Sequence, residues 1–430
     1  MHKPPPVKVV CFGPGPVFKG GISNYNTSLA KALEKQGAEV HIVSWTQQYP
    51  SIIPREFKDK ASKGNLLEGT KIKTTYVCNY NNPFSWRKTA RFIADIDPDI
   101  VIFQWAIAIQ GAPLGYLARH IKKLCRAEVV FDCHLVVQKE ASSIDRVFTK
   151  YGLKIADTYI THAYKTVDEL KAVYPDRMFD VNETGLRAET QVSSVIKLYH
   201  PVYDLFRPDP DFSVKAAKSE MNLRQHVFLF FGFIRKYKGL HQAIEAFKLL
   251  TDKRDDVSLL IVGESFWNTL SENKWSTRVK KAVFSFAKSL LLKKADDERD
   301  YNPLSLVETY GLRDKVHIVN AFVPNEEVHR YFQVSDNIVL FYLTATPSGV
   351  ESLSYNFHLP VLATRVGHFP ETIEDGFNGY LANDRDIDDM AAVMGRAISH
   401  PIDRSNVKEA AKKLSWENYA QAILQPYLDR

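Results

Sequence analysis

The sequence predicts an α/β protein made of two doubly wound, Rossmann-like domains facing a central cleft. Three observations predict it. Short apolar runs rich in β-branched and aromatic residues alternate with segments of helical period along most of the chain. One proline-rich break, His200-Pro-Val-Tyr-Asp-Leu-Phe-Arg-Pro-Asp-Pro210, interrupts the series, which then starts again. Glycine-bearing loops follow the leading strand of each half, and open α/β sheets bind ligands beyond the carboxyl ends of their strands. With 430 residues, each half has enough chain for its own core.

The first half opens with the strand Lys8-Val-Val-Cys-Phe12 and the loop Gly13-Pro-Gly-Pro-Val-Phe-Lys-Gly-Gly21. The next helix places Ile22, Tyr25, Leu29 and Leu33 on one face, and Gly37 fits its end. A second strand covers residues 40–43. This βαβ unit is not the dinucleotide fingerprint. Gly13 and Gly15 match its first two glycines, but Phe18 stands in the third place and no acidic residue closes the second strand. A nicotinamide dehydrogenase is disfavoured on that ground. Gly20 and Gly21 sit instead at the helix start, where a phosphate can rest against bare backbone N–H groups. Residues 46–69 read as a long exposed excursion. Strands are then expected at 71–77, 100–104, 129–132, 158–161 and 195–198, with helices near 86–94, 114–124, 145–155 and 166–173.

After the break a second series begins with a strand at 227–231 and a loop at 232–239. Leu240, Ala243, Ile244, Phe247 and Leu250 line the following helix, and strands are expected at 258–262, 316–319 and 338–342. The domain boundary falls at the break, giving domains over residues 1–203 and 204–414. The loop Thr344-Ala-Thr-Pro-Ser-Gly349 leads into a short helix from about Val350, and Pro360-Val-Leu-Ala-Thr364 is the next strand. Strand, small-residue loop and helix start together make an anion site at Ser348, Gly349 and Val350. An ordinary βα turn has the same residues, so the loop alone leaves both readings open.

Composition narrows the class. A chain that is 45% hydrophobic and 25% charged is an ordinary soluble globular protein. Its formal charge of +6 permits weak attraction to phosphate or anionic lipid and does not specify nucleic acid as a partner. No apolar run approaches the ~20 residues that span a bilayer. Met1-His-Lys-Pro-Pro-Pro6 leads straight into a strand, so no signal peptide is expected. Cys11, Cys78, Cys125 and Cys133 lack metal-ligand spacing and read as reduced thiols of a cytoplasmic protein.

A further set of motifs follows the same order. Gly20-Gly21-Ile22 opens the first domain and Gly232-Phe-Ile-Arg-Lys-Tyr-Lys-Gly239 the second. Leu260-Ile-Val-Gly263, Pro360-Val-Leu-Ala-Thr364, Val366-Gly-His-Phe-Pro-Glu371 and Glu374-Asp-Gly-Phe-Asn-Gly379 come next, then Leu414-Ser-Trp416. In this order and spacing the chain resembles the GT-B glycosyltransferases, specifically the large retaining family of nucleotide-sugar enzymes, family four. The resemblance implies a transferase of polysaccharide biosynthesis, moving a sugar from a nucleotide-sugar donor to a glycan or lipid-linked acceptor with retention of configuration. It also implies no bound metal or other cofactor, and a last helix, 415–430, that crosses back onto the first domain.

Two positions depart from the family. Counting back from Pro360, its paired glutamates fall on Ala345 and Leu353, and Thr346-Pro-Ser-Gly-Val350 is similar to a subgroup without the pair. Glu351 is then the substitute for the ribose and sugar contacts. The arginine that directly follows the glycine of the second-domain loop is replaced by Phe233, and Arg235 lies two residues later. A catalytically inactive, glycosyltransferase-like nucleotide-sugar-binding protein is the alternative that these departures keep open.

The chemistry assigns roles. Glycosyl transfer builds negative charge on the departing diphosphate, which calls for cations and N–H donors there. Arg235 and Lys238 stand on a loop at a strand's carboxyl end, suited to clamp phosphate oxygens. A solvated charge run, with Lys236 included, is the other reading. By resemblance, His134 at the end of the strand Val129-Val-Phe-Asp132 faces the donor sugar and donates a hydrogen bond to it. Glu371, ahead of a helix, is expected to touch a sugar hydroxyl. Residues 278–294 spread six basic side chains around an apolar face of Val279, Val283, Phe286 and Leu290. Such a helix can lie peripherally at the inner face of a membrane or pack on its domain with a solvated basic side.

Overall fold

Runs such as Ile100–Trp105, IVIFQW, present no polar face, so they are stable only with both sides covered. The computed structural model, which describes residues 5–50, 58–60, 64–137, 143–189, 191–265, 301–347 and 349–428, places them in the middle of two parallel sheets. The first sheet holds β1 (Lys8–Phe12), β2 (Glu39–Gln47), β3 (Lys73–Asn79), β4 (Ile100–Trp105), β5 (Glu128–Cys133), β6 (Thr158–Thr161), β7 (Phe179–Asn182) and β8 (Ser193–Lys197). Its spatial order is β3-β2-β1-β4-β5-β6-β8-β7, so the winding reverses between β1 and β4. A reversal of that kind opens a crevice at the strand ends.

Helices cover both faces. α1 (Gly21–Lys35) lies on one side, while α2 (Pro83–Ile96), α3 (Gly111–Leu124), α4 (Ser143–Leu153) and α5 (Tyr164–Val173) take the other. Inside, Trp45, Trp105, Phe103 and Phe131 are fully buried, each such side chain contributing on the order of 1.5–3 kcal/mol by leaving water.

After β8 the chain passes through the proline-rich stretch and α6 (Val214–Glu220) into the second sheet. That sheet holds β9 (His226–Phe231), β10 (Val257–Val262), β11 (Val316–Val319), β12 (Asn337–Leu340), β13 (Val361–Thr364) and β14 (Gly379–Ala382), ordered β11-β10-β9-β12-β13-β14. Its helices are α7 (Leu240–Thr251), α8 (Ser305–Thr309), α9 (Val328–Val334), α10 (Gly349–Asn356), α11 (Phe369–Thr372), α12 (Ile387–Ser399) and α13 (Arg404–Lys412). The last helix, α14 (Trp416–Leu424), starts at a Ser415 cap and returns to pack on α1. Tyr419 Oη–H donates to both Asp132 carboxylate oxygens at 3.2 Å, and Arg187 ties the helix end through the Ile423 carbonyl at 2.9 Å. Two doubly wound sheets are therefore present, as the alternation of elements predicts.

Several boundaries differ from the sequence reading. β2 runs on to Gln47 and takes up the start of the expected excursion. β7 has no sequence signal, because a short, half-buried edge strand needs no apolar run. β12 stops at Leu340, short of the apolar run. Tyr342 N–H turns back to the Leu340 carbonyl at 2.7 Å and Leu343 N–H bonds the Tyr237 carbonyl at 2.8 Å, which draws the chain toward the loop after β9. Glu371 lies inside α11 rather than ahead of it. The segment 278–294 and Ser348 lie outside the described residues. Cys11, Cys78 and Cys133 are buried, Cys125 is half-buried, and all four are free. Among the described residues no helix is long and apolar enough to cross a membrane.

Candidate active site

The carboxyl ends of both sheets open onto one cleft of about 320 Å³. The first domain contributes the loop after β1, with Phe18, Gly20 and Gly21, and the linker contributes Tyr203 and Phe206. From the second domain come Gly232, Phe233, Tyr237 and Lys238 after β9, Gly263 and Glu264 after β10, and Phe322 and Val323 after β11. Gly349 and Val350, at the start of α10, complete the wall. The starts of α1 and α10 therefore both face the same space with the positive ends of their helix dipoles.

Tyr203 joins these two helix starts. Its hydroxyl donates to the Gly21 carbonyl at 2.9 Å, and a Cβ on Gly349 would stand 2.5 Å from its ring. Burial pushes the Tyr203 hydroxyl up, so it remains a donor.

Among the described residues that line the cleft, Lys238 is the cation. The loop carrying it bends at Gly232, where φ is +96°, and a Cβ there would lie 2.9 Å from Lys238 Nζ. At Gly239, φ is +64° and a Cβ would collide with the Phe341 carbonyl at 1.8 Å, so this turn accepts only glycine. Lys238 itself is buried, and desolvation, followed by the nearby Arg235 charge, lowers its ammonium from 10.5 to about 8. Arg235 precedes the short turn Lys236–Lys238, half-buried, its guanidinium 5.7 Å from the Tyr237 ring. It flanks the cleft without lining it. Lys236 is half-buried too, whereas the sequence reading has it as a solvated neighbour.

The other expected site residues lie behind this wall. His134 follows β5 as anticipated but is buried, its Nε2 2.7 Å from Gln104 Oε1. With that oxygen as acceptor, Nε2 carries the proton and Nδ1 the lone pair. Desolvation lowers His134 to about 4, so it is neutral. The donation that the resemblance implies is thus already made to Gln104. Glu351 is also buried, its carboxylate accepting from Thr372 and paired with His368, which ties α10 to α11. Of the family's two glutamate positions, Ala345 is buried and Leu353 lines the cleft.

Glu371 meets a residue that sequence reasoning missed. Lys197, the last residue of β8, is wholly buried and its Nζ lies 3.5 Å from Glu371 Oε2 across the two domains. Among the described residues neither atom has a hydrogen bond; Glu183 Oε1 lies 3.8 Å from the ammonium, and the Tyr199 ring sits 3.4 Å from it. A lysine closing an apolar strand was the available signal.

A second missed group is Asp132 with His162 and Tyr419. His162 Nε2 lies 2.8 Å from Asp132 Oδ1. Burial alone would raise the Asp132 carboxyl; its interactions with His162, His134 and Tyr25 together outweigh that and hold the group below its usual range. His200, in the linker, lies 2.7 Å from Ser352 Oγ of α10, and burial holds its imidazole well below the usual value. Among the described residues there is no cluster of three or more side chains suited to hold a metal.

The chain is similar to known proteins in sequence and in fold. Residues 211–414 match the family model described as glycosyl transferases group 1, and residues 19–180 the model described as glycosyltransferase family 4. Spore coat protein SA of Bacillus subtilis is 24% identical over 251 residues, which is 56% of this chain and 58% of that protein. D-inositol 3-phosphate glycosyltransferase of Thermobifida fusca is 35% identical over 134 residues. The chain thus spans 58% and 29% of these two curated relatives. Anabaena HepE, solved in complex with UDP-glucose, superposes with a TM-score of 0.65 at 14% identity, covering 98% of this chain and 100% of that one. A glycosyltransferase from Rickettsia africae superposes with a TM-score of 0.65 at 15% identity, covering 99% and 98%. At such identities these two likenesses speak for the fold.

Proposed function

This chain belongs to the group 1 and family 4 glycosyltransferases of GT-B fold, and on that premise we propose that it moves a sugar from a nucleotide-diphosphate donor onto a glycan or lipid-linked acceptor. The observation that carries the proposal is Lys238, a buried cation in the cleft wall that the starts of α1 and α10 also line. An ammonium kept out of water binds a diphosphate more strongly than a solvated one, and helix N–H groups add donors to the same oxygens. Arg235 sits beside it to share the charge that develops as the sugar leaves.

In the proposed reaction the bond from the sugar's anomeric carbon to the diphosphate oxygen breaks. The acceptor hydroxyl attacks from the same face, and its proton passes to the departing phosphate oxygen. Configuration is retained and no protein nucleophile is required. His134 lies behind the wall with its Nε2–H given to Gln104, so in this reaction it is a positioning residue. No metal is assigned to the leaving group, so dialysis against a chelator is expected to leave the rate unchanged.

UDP-glucose is the first donor to test, because HepE binds it on the same fold. The experiment is a thermal-shift screen of nucleotide sugars, since a cleft ligand stabilises by mass action. It is paired with donor hydrolysis in the absence of acceptor. Donor-dependent stabilisation with hydrolysis supports the transferase. Stabilisation without turnover under any acceptor supports a binding protein, the reading favoured by Ala345 and Leu353 at the family's glutamate positions. No stabilisation by any nucleotide sugar refutes both. Peripheral contact with the inner face of a membrane through residues 278–294 remains part of the proposal, with the protein cytoplasmic.

A further inference from the structure

A second pocket, of about 360 Å³, lies outside the donor cleft and shares no lining residue with it. Its volume falls in the range of small-molecule sites, about 300–1,000 Å³. Segments distant in sequence build it. α1 contributes Ser28, Lys31 and Lys35, the linker contributes Asp204, and the start of α14 contributes Trp416 and Glu417. Gly21 of α1 lines the cleft, and Ser28 stands seven residues further on, about 10 Å along the helix axis. The two sites therefore occupy different stretches of one helix.

Two polar groups of this pocket lack a partner. Ser28 is 2% exposed and Trp416 6%. Among the described residues neither Ser28 Oγ nor Trp416 Nε1 has a hydrogen bond. Buried polar groups are normally paired, because an unmade bond costs the desolvation of the group. Trp416 is also held in place. The Tyr25 ring meets its indole edge-on at 5.0 Å, the Tyr419 ring does so at 5.7 Å, and the Ser415 side chain caps the helix that carries it. An indole N–H is a donor only, so it calls for an acceptor atom.

The charges around these groups select the ligand. Lys31 and Lys35 bring positive charge, while Asp204, Glu417 and Glu34 bring negative, and the fields of both lysines reach the Asp204 carboxyl. Lys31 Nζ donates to the Leu66 carbonyl at 3.3 Å, and Glu34 Oε1 accepts from the Lys71 N–H at 2.6 Å, which anchors both side chains. A phosphate would meet three carboxylates, and a metal ion would meet two ammonium groups. A neutral polyol meets neither obstacle. Each of its hydroxyls can give a proton to a carboxylate while accepting one from an ammonium or an indole N–H.

We propose that this pocket is a saccharide site separate from the donor cleft, holding one or two neutral sugar units between α1, the linker and α14. Trp416 Nε1–H and Lys35 donate to sugar oxygens there, and Asp204 accepts from a sugar hydroxyl. The site requires no transfer activity, so it stands or falls independently of the proposed reaction.

The test is saturation-transfer NMR titration of the full chain with glucose, galactose, mannose, N-acetylglucosamine and maltose. Inorganic phosphate and glutamine are titrated beside them as the anionic and zwitterionic alternatives. At least one sugar is expected to bind. Asp204→Ala should weaken that binding about tenfold, and Lys35→Met and Trp416→Phe about fivefold each, the last removing the N–H while keeping a ring. Asp204 and Lys35 are exposed, so their variants keep the test decisive even if Trp416→Phe melts early. Absence of binding by all five sugars leaves Ser28 and Trp416 to water and overturns the proposal. Sugar binding that survives Asp204→Ala and Lys35→Met belongs to the donor cleft and overturns it too. Binding of phosphate or glutamine in place of sugar, weakened by Asp204→Ala or Lys35→Met, would refute the saccharide assignment.

Discussion

Lys238→Met separates the cost of a buried cation from its use. Lys238 is buried, and its ammonium is lowered from 10.5 to about 8. Keeping the charge in the cleft wall near pH 7 therefore costs the folded state about 3 kcal/mol. Below about pH 8 the lysine is protonated in both folded and unfolded chains, and the penalty is constant. Between 8 and 10.5 only the unfolded chain holds the proton, so stability rises with pH across that window. Methionine preserves most of the side-chain volume without the charge. The variant should be more stable than the parent near pH 7, by up to about 3 kcal/mol, with the difference fading toward the unfolded value. It should also lose the stabilisation that a nucleoside diphosphate gives the parent. Paired thermal melts across that pH range, with and without UDP, read both effects. A variant that is destabilised near neutrality, or that keeps the full UDP shift, would refute the reasoning.

Other perturbations have equally definite outcomes. Lys238→Ala and Arg235→Ala should each lower turnover about a hundredfold, by ~3 kcal/mol of transition-state stabilisation, while Lys236→Ala stays near the parent; steady-state rates decide, and full activity in the first two removes the leaving-group assignment. Glu371→Gln leaves the wholly buried Lys197 with Glu183 Oε1 at 3.8 Å as its remaining carboxylate, and should still destabilise the fold by urea unfolding more than Lys197→Met, which leaves the partly exposed Glu371; the reverse order would show that the pair does not hold the domains together. His134, lowered from 6.5 to about 4, stays neutral in the folded protein while the unfolded chain takes up a proton. Stability is therefore full above 6.5 and is lost progressively down to about 4, by roughly 3 kcal/mol from this residue, which His134→Asn should remove from the pH profile of the melt.

Much of the protein was legible in its residues. The period of apolar runs determines strand or helix locally, so both sheets and nearly every strand could be read without tertiary information. Gly20, Gly21, Lys238, Gly349 and Val350 could be placed at strand ends for the same reason, and the structure brings those five to one cleft. Resemblance added the returning last helix, which no local pattern contains.

Tertiary structure decided what depends on partners distant in sequence. Charge type alone does not distinguish Lys236, Lys238 and Arg235; the +96° bend at Gly232 and the approach of Phe341 to Gly239 send only Lys238 into the cleft wall. His134 and Glu351 have the right chemistry for sugar contacts, but Gln104, His368 and Thr372 occupy their polar atoms, and those neighbours come from other elements. Lys197 and Glu371 meet across 174 residues of chain, and Asp132 meets Tyr419 across 287, because the linker and the last helix fold back between the domains. A sequence records side-chain chemistry and local period; burial, and hence the charge state and the reach of each polar group, exists only once distant segments exclude water together.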